Sequence, residues 1–397
     1  MASLFGRPGR DQFAHIVTDE IRRGGENGDI VYDREHFALT IGQDSEKSVL
    51  HLSNVYREYL RSPRRQRRRL LTNFASLQRQ AGEFLFPESY QEARACLMPR
   101  LQHRLQLETL RLLKDLVVPH VLLSEDLTAT VVYDTPQAIL SFPEDQLERW
   151  GITFEEAMRA ARDNLWAASN DEFSCHRGLY TSPWRDNYDA SRLILQPLIR
   201  QLKVEGQHVV LPLHRDSLLV TGSEEHAGLE ALLQAAGTGF EHPRFICGAP
   251  IWLQEDRWTE YEPPAGHPLA EEFRRLRLCS RARDYQEQKQ VLEELHHSRG
   301  EDLLVAAYSL TDQTGELQNY SSWSRGVDTL LPRSERVALF DPALPEEERV
   351  LGLFDWEHLK SVVGALMEKT DHYPIRFRVR QFPSEAQLAL LNGTARS

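Results

Sequence analysis

The chain has few of the residues that build metal centres and disulfide frameworks. Its 397 residues include four cysteines, and no two of them form a Cys-x-x-Cys pair. Such scattered thiols argue against a zinc site and a disulfide scaffold, and they suit a reducing cytoplasm. The neighbouring histidines His296 and His297 lack the i, i+4 spacing of helical metal ligands. We therefore expect no metal site, no cofactor and a cytoplasmic location.

Long hydrophobic runs are also missing. No stretch of eighteen or more apolar residues occurs, and the N-terminal residues lack the apolar segment of a secretion signal. We expect neither a membrane span nor export through a signal peptide.

Familiar catalytic motifs do not occur either. The chain contains no G-x-S-x-G or H-E-x-x-H sequence, although absence is weak evidence because active sites assemble from distant residues. Gly237–Phe240 reads as a loop but lacks the Lys-Ser/Thr ending of a P-loop. Cys175 and His176 are adjacent, and on an extended chain they would point to opposite faces. We assign no catalytic residue.

Charge is unevenly distributed along the chain. The formal net charge is -12, but residues 1–120 carry 19 Lys/Arg against 15 Asp/Glu. Within them lies the run Arg64–Arg69, whose guanidinium groups suit phosphate or RNA. No aromatic residues interleave the run as a single-strand platform requires. We therefore favour contact with an acidic surface of this chain or of a protein partner, and nucleic-acid binding is not expected.

Hydrophobic patterning predicts an α+β protein with small, mostly antiparallel sheets covered by helices and a separate C-terminal α+β unit. The Pro263-Pro264 segment is the best linker in the sequence. Four regions follow from these patterns: an N-terminal α+β region (1–120), an α+β core (121–262), a linker with a charged helix (263–300) and a C-terminal α+β domain (301–397).

The same patterns predict the bounds of individual helices and hairpins. Residues 88–118 are predicted to be helical and broken at Pro99, and residues 269–297 are predicted to form a charged helix in one or two pieces. The last region reads as one mostly antiparallel sheet under one main helix, beginning with a hairpin whose turn is 311–315. Residues 138–142 are expected to pair with 129–133 in another hairpin.

The clearest block of structure is 187–223. It predicts a helix capped by Asp189 and interrupted at Pro197, then a hairpin whose first strand holds Pro212 at an edge or a bulge. A polar cluster falls at one end of this block, and it is the only candidate binding site: Tyr188, Asp189, Arg192, Arg215 and Asp216. The simpler interpretation, which we favour, is that these residues serve capping and turn chemistry.

Short motifs in and around this block resemble the YtpQ-like family of bacterial proteins, a domain of unknown function. The matching stretches keep the order expected for the family, and they are Cys96–Arg100, Leu147–Gly151, Tyr188–Arg192, Val209–Leu213 and Ser217–Val220. The resemblance implies kinship over roughly the first two thirds of the chain. It carries no activity and no catalytic residues, and residues after Glu262 lie outside it.

Three function classes stay open. The first, which we favour, is a noncatalytic protein-binding, adaptor or chaperone-like module, by analogy of fold alone. The second is an enzyme of unrecognised, hydrolase-like type without a standard motif. The third is an RNA- or phosphate-binding regulator acting through Arg64–Arg69. A protein partner fits the first class, and the sequence does not determine an oligomeric state.

Overall fold

The computed structural model confirms the α+β class. It describes residues 8–26, 28–34, 37–42, 48–52, 55–56, 59–60, 62–80, 86–135, 139–141, 144–240, 242, 244–312 and 315–393. Positions 138 and 142 of one predicted hairpin, and 313–314 of another, lie outside these ranges. The chain forms two compact units: unit 1 (1–96 and 133–141) and unit 2 (97–132 and 142–397).

Unit 1 is an antiparallel sheet packed with helices. Its elements are α1 (Arg10–Arg23), β1 (Ile30–Asp33), β2 (Ala38–Ile41), β3 (Ser48–His51), α2 (Arg64–Gln80) and α3 (Tyr90–Ala93), and the strand order is β1-β2-β3. Phe13, Val17 and Ile21 recur at helical spacing on α1 and are buried in the core of this unit. The Arg64–Arg69 run forms the first turns of α2.

Unit 2 begins with a sheet that the sequence assigns wrongly in part. The elements here are β4 (Leu97–His103), α4 (Arg104–Lys114), β5 (His120–Leu122) and β6 (Leu127–Asp134), and the strand order is β4-β6-β5. The last two residues of β6 belong to unit 1, as does strand β7 (Ile139–Ser141), which pairs with β6. Residues 97–103 were expected in a helix broken at Pro99. They form a strand at one end of the sheet, where a residue without an N–H group costs no ladder bond.

The second sheet of unit 2 has six antiparallel strands in the order β13-β12-β10-β11-β9-β8. The strands are β8 (Ser174–His176), β9 (Leu179–Thr181), β10 (His208–His214), β11 (Ser217–Gly222), β12 (Ile251–Gln254) and β13 (Arg257–Glu260). The register of β10 against β11 shifts between Leu211 and His214. Pro212 therefore lies at a bulge of an inner strand, one of the two positions predicted for it.

Unit 2 has four further helices up to residue 239: α5 (Glu144–Trp150), α6 (Phe154–Ala167), α7 (Gln196–Arg200) and α8 (His226–Gly239). Helix α6 packs on β4, and α8 packs on the six-stranded sheet. A 3-10 turn, Ala190–Ile194, precedes α7, so two short helical pieces meet near Pro197 as predicted. The loop expected at Gly237–Phe240 is wrong, because α8 continues to Gly239. Gly239 is buried against Leu213, and this packing outweighs the low helix propensity of glycine.

Helix α9 (Ala270–Arg299) is one continuous helix of 30 residues, not two pieces. Phe273 and Leu276 are buried in a cluster with residues of the six-stranded sheet, while Leu292 packs with Val305 and Leu330 of the C-terminal region. One helix therefore serves two cores. Gly300 ends it in the left-handed conformation that favours glycine.

The C-terminal region contains two four-stranded mixed sheets in place of the single sheet expected. Their strands are β14 (Leu304–Val305), β15 (Ser309–Thr311), β16 (Gln318–Ser324), β17 (Thr329–Pro332), β18 (Arg336–Phe340), β19 (Val350–Asp355), β20 (Glu368–Lys369) and β21 (Arg376–Val379), in the orders β14-β17-β21-β20 and β15-β16-β18-β19. Helices α10 (Trp356–Val363) and α11 (Glu385–Gly393) complete the region. The sequence missed the split because 303–310 is predicted as one strand, whereas β14 and β15 divide this stretch between the two sheets.

The boundary between the compact units does not fall at 120, 262 or 300. Whether the segments defined by those boundaries fold alone stays a prediction. Within the described residues, no helix is both long and apolar enough to cross a membrane. All four cysteines are free thiols.

Candidate functional site

The polar cluster predicted from sequence is largely buried. Tyr188, Asp189 and Arg192 expose 3%, 0% and 0% of their surface. Arg215 and Asp216 are half-buried on the turn between β10 and β11. A ligand could therefore reach only the last two without a rearrangement of the loop.

Arg192 is held by four interactions inside the protein. Its guanidinium forms a two-pronged ion pair with Asp186 at 2.9 and 2.8 Å, and it donates to Ser169 Oγ at 2.8 Å and to the Ala168 carbonyl at 3.1 Å. The ring of Trp184 covers it at 3.9 Å. Burial disfavours ionised Asp186, but the bonds and charge of Arg192 outweigh burial and lower the pKa of this carboxyl. Asp186 is the partner that sequence reasoning missed.

Asp216 belongs to a second network beside the first. Its carboxylate accepts from Arg244 at 3.0 Å and from the Asn187 backbone N–H at 3.0 Å. Arg244 also donates to the Asn187 side chain. Arg215 joins through its backbone, whose carbonyl accepts from the Ala190 N–H at 3.3 Å. Both networks hold the loop in one conformation through bonds within the protein.

The expected capping role of Asp189 is wrong. This residue immediately precedes the 3-10 turn, but its side chain makes no capping hydrogen bond there. Oδ2 accepts instead from the preceding Asp186 N–H at 3.3 Å, and Oδ1 has no hydrogen-bond partner among the described residues. Asp189 already has helical backbone angles, and its carboxylate contacts the chain before it. Ser191 forms a hydrogen bond that its position in the sequence did not predict. Its Oγ accepts from the Leu101 N–H of β4 at 3.0 Å.

A buried group of three side chains has the composition of a metal site. His103, Asp126 and Asp284 place one potential ligand atom each within 4.8 Å of one another. His103 Nδ1, however, accepts the Leu105 backbone N–H at 3.2 Å at the start of α4. The proton of the neutral ring therefore sits on Nε2, 3.4 Å from Asp284, where a metal ion would have to bind.

Asp126 is also occupied. It accepts from Arg281 at 3.1 Å and from the Tyr373 hydroxyl. Burial opposes its ionisation, but Arg281 more than compensates and the pKa of Asp126 is lowered. The three residues do not fit a metal ion, since each has a hydrogen-bond or ion-pair partner within the protein. Sequence reasoning could not find this group because its members come from three separate elements.

A charged cleft of about 710 Å³ runs beside α9. Arg274, Arg277 and Arg281 recur on one face of the helix and line it. Arg274 forms a two-pronged bond with Glu335 at 2.8 and 2.9 Å, and Arg277 lies 3.2 Å from Glu260. These guanidinium groups already form ion pairs with carboxylates. We therefore interpret the cleft as a place where ion pairs hold α9 to its neighbours.

A second cavity has a different character. A groove of about 910 Å³ lies between β5, helix α6 and the turn leading into α7. Apolar and charged side chains both line it: His120, Val121, Leu123, Phe154, Glu155, Met158, Arg159, Arg162, Asp163, Trp166, Ile194, Leu195, Gln196 and Pro197. We call this cavity the β5–α6 groove.

Local sequence explains how α6 forms one wall of the groove. Thr153 and Glu156 build a capping box, in which Thr153 Oγ1 accepts from the Glu156 N–H at 3.2 Å and Glu156 accepts from the Thr153 N–H at 2.8 Å. The inner face of the helix buries Ala157, Ala161 and Leu165. Another face of α6 lines the groove, and its residues recur every four positions: Phe154, Met158, Arg162 and Trp166.

Exposed apolar side chains concentrate on the segment that leads into β5, and two of them, Val121 and Trp166, line the β5–α6 groove. Of the eleven large apolar side chains that are exposed in the described residues, five fall within 113–122, the segment that ends in β5. A sixth, Trp166, lines the groove and is 47% exposed. Single exposed apolar residues are ordinary on protein surfaces, but a contiguous group beside a groove marks a binding site. Comparisons with protein-family models, curated proteins and solved structures find no match for this chain.

Proposed function

We propose that the chain is a noncatalytic protein-binding module, of adaptor or chaperone-like type, that holds a partner segment in the β5–α6 groove. The observation that carries the proposal is the largely apolar lining of this open groove, in which the side chains of Val121 and Trp166 are exposed. Burial of apolar surface contributes about 25 cal/mol per Å². A partner that covers Val121 and Trp166 therefore gains affinity without a rearrangement of the fold.

The other sites support this choice by contrast. Charges in the α9 cleft and in the loop around Arg192 are paired within the protein, so a ligand there would have to break existing bonds. The β5–α6 groove requires no such exchange at its apolar surface. We also propose a cytoplasmic location, which the four free thiols suit. Membership of the YtpQ-like family is a further part of the proposal.

A second candidate is the phosphate- or RNA-binding regulator acting through Arg64–Arg69. The observation that favours it is the solvent exposure of Arg64, Arg65, Arg68 and Arg69 on the first turns of α2. A hydrolase-like enzyme remains the other alternative, without an observation in its favour.

Selection of peptides on the full-length chain tests the groove. A phage-displayed library of random peptides is selected on the wild-type protein, and the enriched peptides are titrated against Trp166→Glu and Val121→Glu. We expect each charge to weaken binding at least about tenfold, which corresponds to about 1.4 kcal/mol. Val350→Glu is the matched control, because Val350 is also an exposed apolar residue in unit 2 but lies outside the groove.

Thermal melts of each variant serve as the control for folding. The proposal fails if selection enriches no peptide, or if the enriched peptides bind Trp166→Glu and Val121→Glu as tightly as the wild-type chain.

A further inference from the structure

The strand that borders the β5–α6 groove has an unpaired edge. Among the described residues, strand β5 pairs with β6 alone, in antiparallel register that sets His120 opposite Thr130 and Leu122 opposite Thr128. The Leu123 N–H donates to the Leu127 carbonyl at 2.9 Å. Bonded and non-bonded pairs alternate in an antiparallel ladder, so Val121 bonds toward β6 while His120 and Leu122 turn their N–H and C=O groups outward.

This outward edge limits what can cover the groove. A partner that buries β5 must supply hydrogen bonds to the backbone groups of His120 and Leu122, because unpaired buried backbone groups are costly. A helix has used its own N–H and C=O groups internally. An extended segment has them free and can add to the sheet as a further strand.

The opposite wall defines the side chains that such a segment would carry. Phe154, Met158, Arg162 and Trp166 are spaced by four residues on α6, so they form one stripe along the groove. Three of the four are apolar. Side chains on one face of an added strand would meet this stripe and the turn at Ile194–Pro197.

Arg162 is the one charged residue of that stripe. Its side chain is exposed and forms no ion pair with any described residue. Glu155, Arg159 and Asp163 lie on the adjacent stripe at the same spacing, where their alternating signs offset one another along the helix. The charge left for a partner to complement is therefore the Arg162 guanidinium, between Met158 and Trp166.

We infer that the β5–α6 groove binds an extended segment of a partner protein, which adds to β5 as a strand and places apolar side chains and one carboxylate along the Phe154–Trp166 stripe. The inference rests on the proposed function and names the conformation and chemistry of the partner. The carboxylate pairs with Arg162, and the backbone of the segment bonds to His120 and Leu122.

The probe is an acetylated octapeptide that alternates threonine with valine and carries one central glutamate, titrated by fluorescence anisotropy against the full-length chain. We expect it to bind at least tenfold more tightly than the same peptide with lysine in place of glutamate. Arg162→Gln should remove this preference. Arg159→Gln, on the adjacent stripe, is the matched control and should keep it.

Backbone methylation tests the added strand. Methylating the alternate amides that face β5 should abolish binding, whereas methylating the other set should leave it within about twofold, because only one set of N–H groups bonds to the sheet edge. If neither octapeptide binds, or if methylation of the amides that face β5 has no effect, strand addition is wrong. The proposed groove still stands in that case, provided that library peptides lose affinity for Trp166→Glu. A wild-type dimer in sedimentation that dissociates on Val121→Glu would assign the groove to a second copy and also overturn the inference.

Discussion

Arg192 and Asp186 form an ion pair in which the guanidinium is fully buried and both of its terminal nitrogens bond to the same carboxylate. The pair closes the loop that precedes the 3-10 turn Ala190–Ile194. The partners are six positions apart in sequence. Asp186 lies before the helical pattern that begins at Asp189, so that pattern does not indicate it as the partner of Arg192. A buried cation of this kind depends on its partner, since removing one member leaves an uncompensated charge.

Asp186→Asn should therefore destabilise the protein strongly. We expect a loss of about 3 kcal/mol in the free energy of unfolding, at the low end for a buried pair because Asp186 is about one-third exposed. Asp189→Asn in the same loop is the control, and it should cost less than about 1 kcal/mol because Asn keeps an acceptor for the Asp186 N–H. Urea denaturation at pH 7 measures both. Equal losses would show that the Arg192 pair does not hold the loop.

Glu108 should make stability depend on acid pH. Burial raises the pKa of this carboxyl, but His372 at 3.5 Å and the hydrogen bonds of Arg111 outweigh burial and lower the pKa to about 2. A lowered pKa gives stability that is complete above the unfolded-state value near 4.5 and is lost as pH falls toward 2. The shift corresponds to roughly 3 kcal/mol. We expect Glu108→Gln to destabilise the protein at pH 7 and to flatten the stability profile between pH 5 and 2.

The control for this profile is Glu287→Gln. Glu287 forms an i, i+4 pair with Arg283 at 2.9 Å and is half-exposed, so its loss should change stability by less than about 0.5 kcal/mol at any pH. Denaturant melts at several pH values compare the two variants. A Glu108→Gln profile parallel to that of the wild type would contradict the lowered pKa.

Two glycines of α8 should respond oppositely to alanine. A Cβ at Gly228 would collide with Thr221 Oγ1 and lie 2.7 Å from the Gly178 carbonyl oxygen, and neither the sheet nor that backbone can move away cheaply. We expect Gly228→Ala to cost about 1–3 kcal/mol. Gly237 is exposed with open space around it, so Gly237→Ala should stabilise the helix by about 0.5–1 kcal/mol. A destabilised Gly237→Ala variant in thermal melts would show that α8 ends before this residue.

Arg67 should behave differently from the rest of the arginine run. Its Nε donates to the Ser62 carbonyl at 3.0 Å, and its guanidinium lies 4.8 Å from the Tyr59 ring centroid. We expect Arg67→Gln to destabilise unit 1 by about 1 kcal/mol. Exposed Arg64→Gln and Arg65→Gln should stay within about 0.5 kcal/mol in thermal melts.

The same run also tests the RNA alternative. If Arg64–Arg69 serves protein contact, the wild-type chain binds single-stranded RNA weakly, and changing Arg64, Arg65, Arg67 and Arg68 to Gln leaves that affinity unchanged. Salt-sensitive RNA binding that this variant loses would instead support the regulator.

The sequence predicted the elements whose signals are local. The apolar period of α1, the hairpin of β10 and β11, and the interruption near Pro197 each depend on residues within one or two turns of the chain. Hydrophobic period and turn chemistry act over that range, so they can be read without tertiary contacts. The α+β class follows from the same signals.

Only the tertiary structure decided which segments and side chains meet. Residues 97–103 became a strand because a sheet edge accepts Pro99, and α8 continued to Gly239 because Leu213 packs against it. The β5–α6 groove brings together His120–Leu123 and the Phe154–Trp166 face of α6. An amphipathic pattern shows that an apolar side chain favours burial, but whether another part of the chain covers it depends on packing between distant segments. The exposed apolar surface beside β5 is therefore a property of the fold, and the sequence alone gave no sign of it.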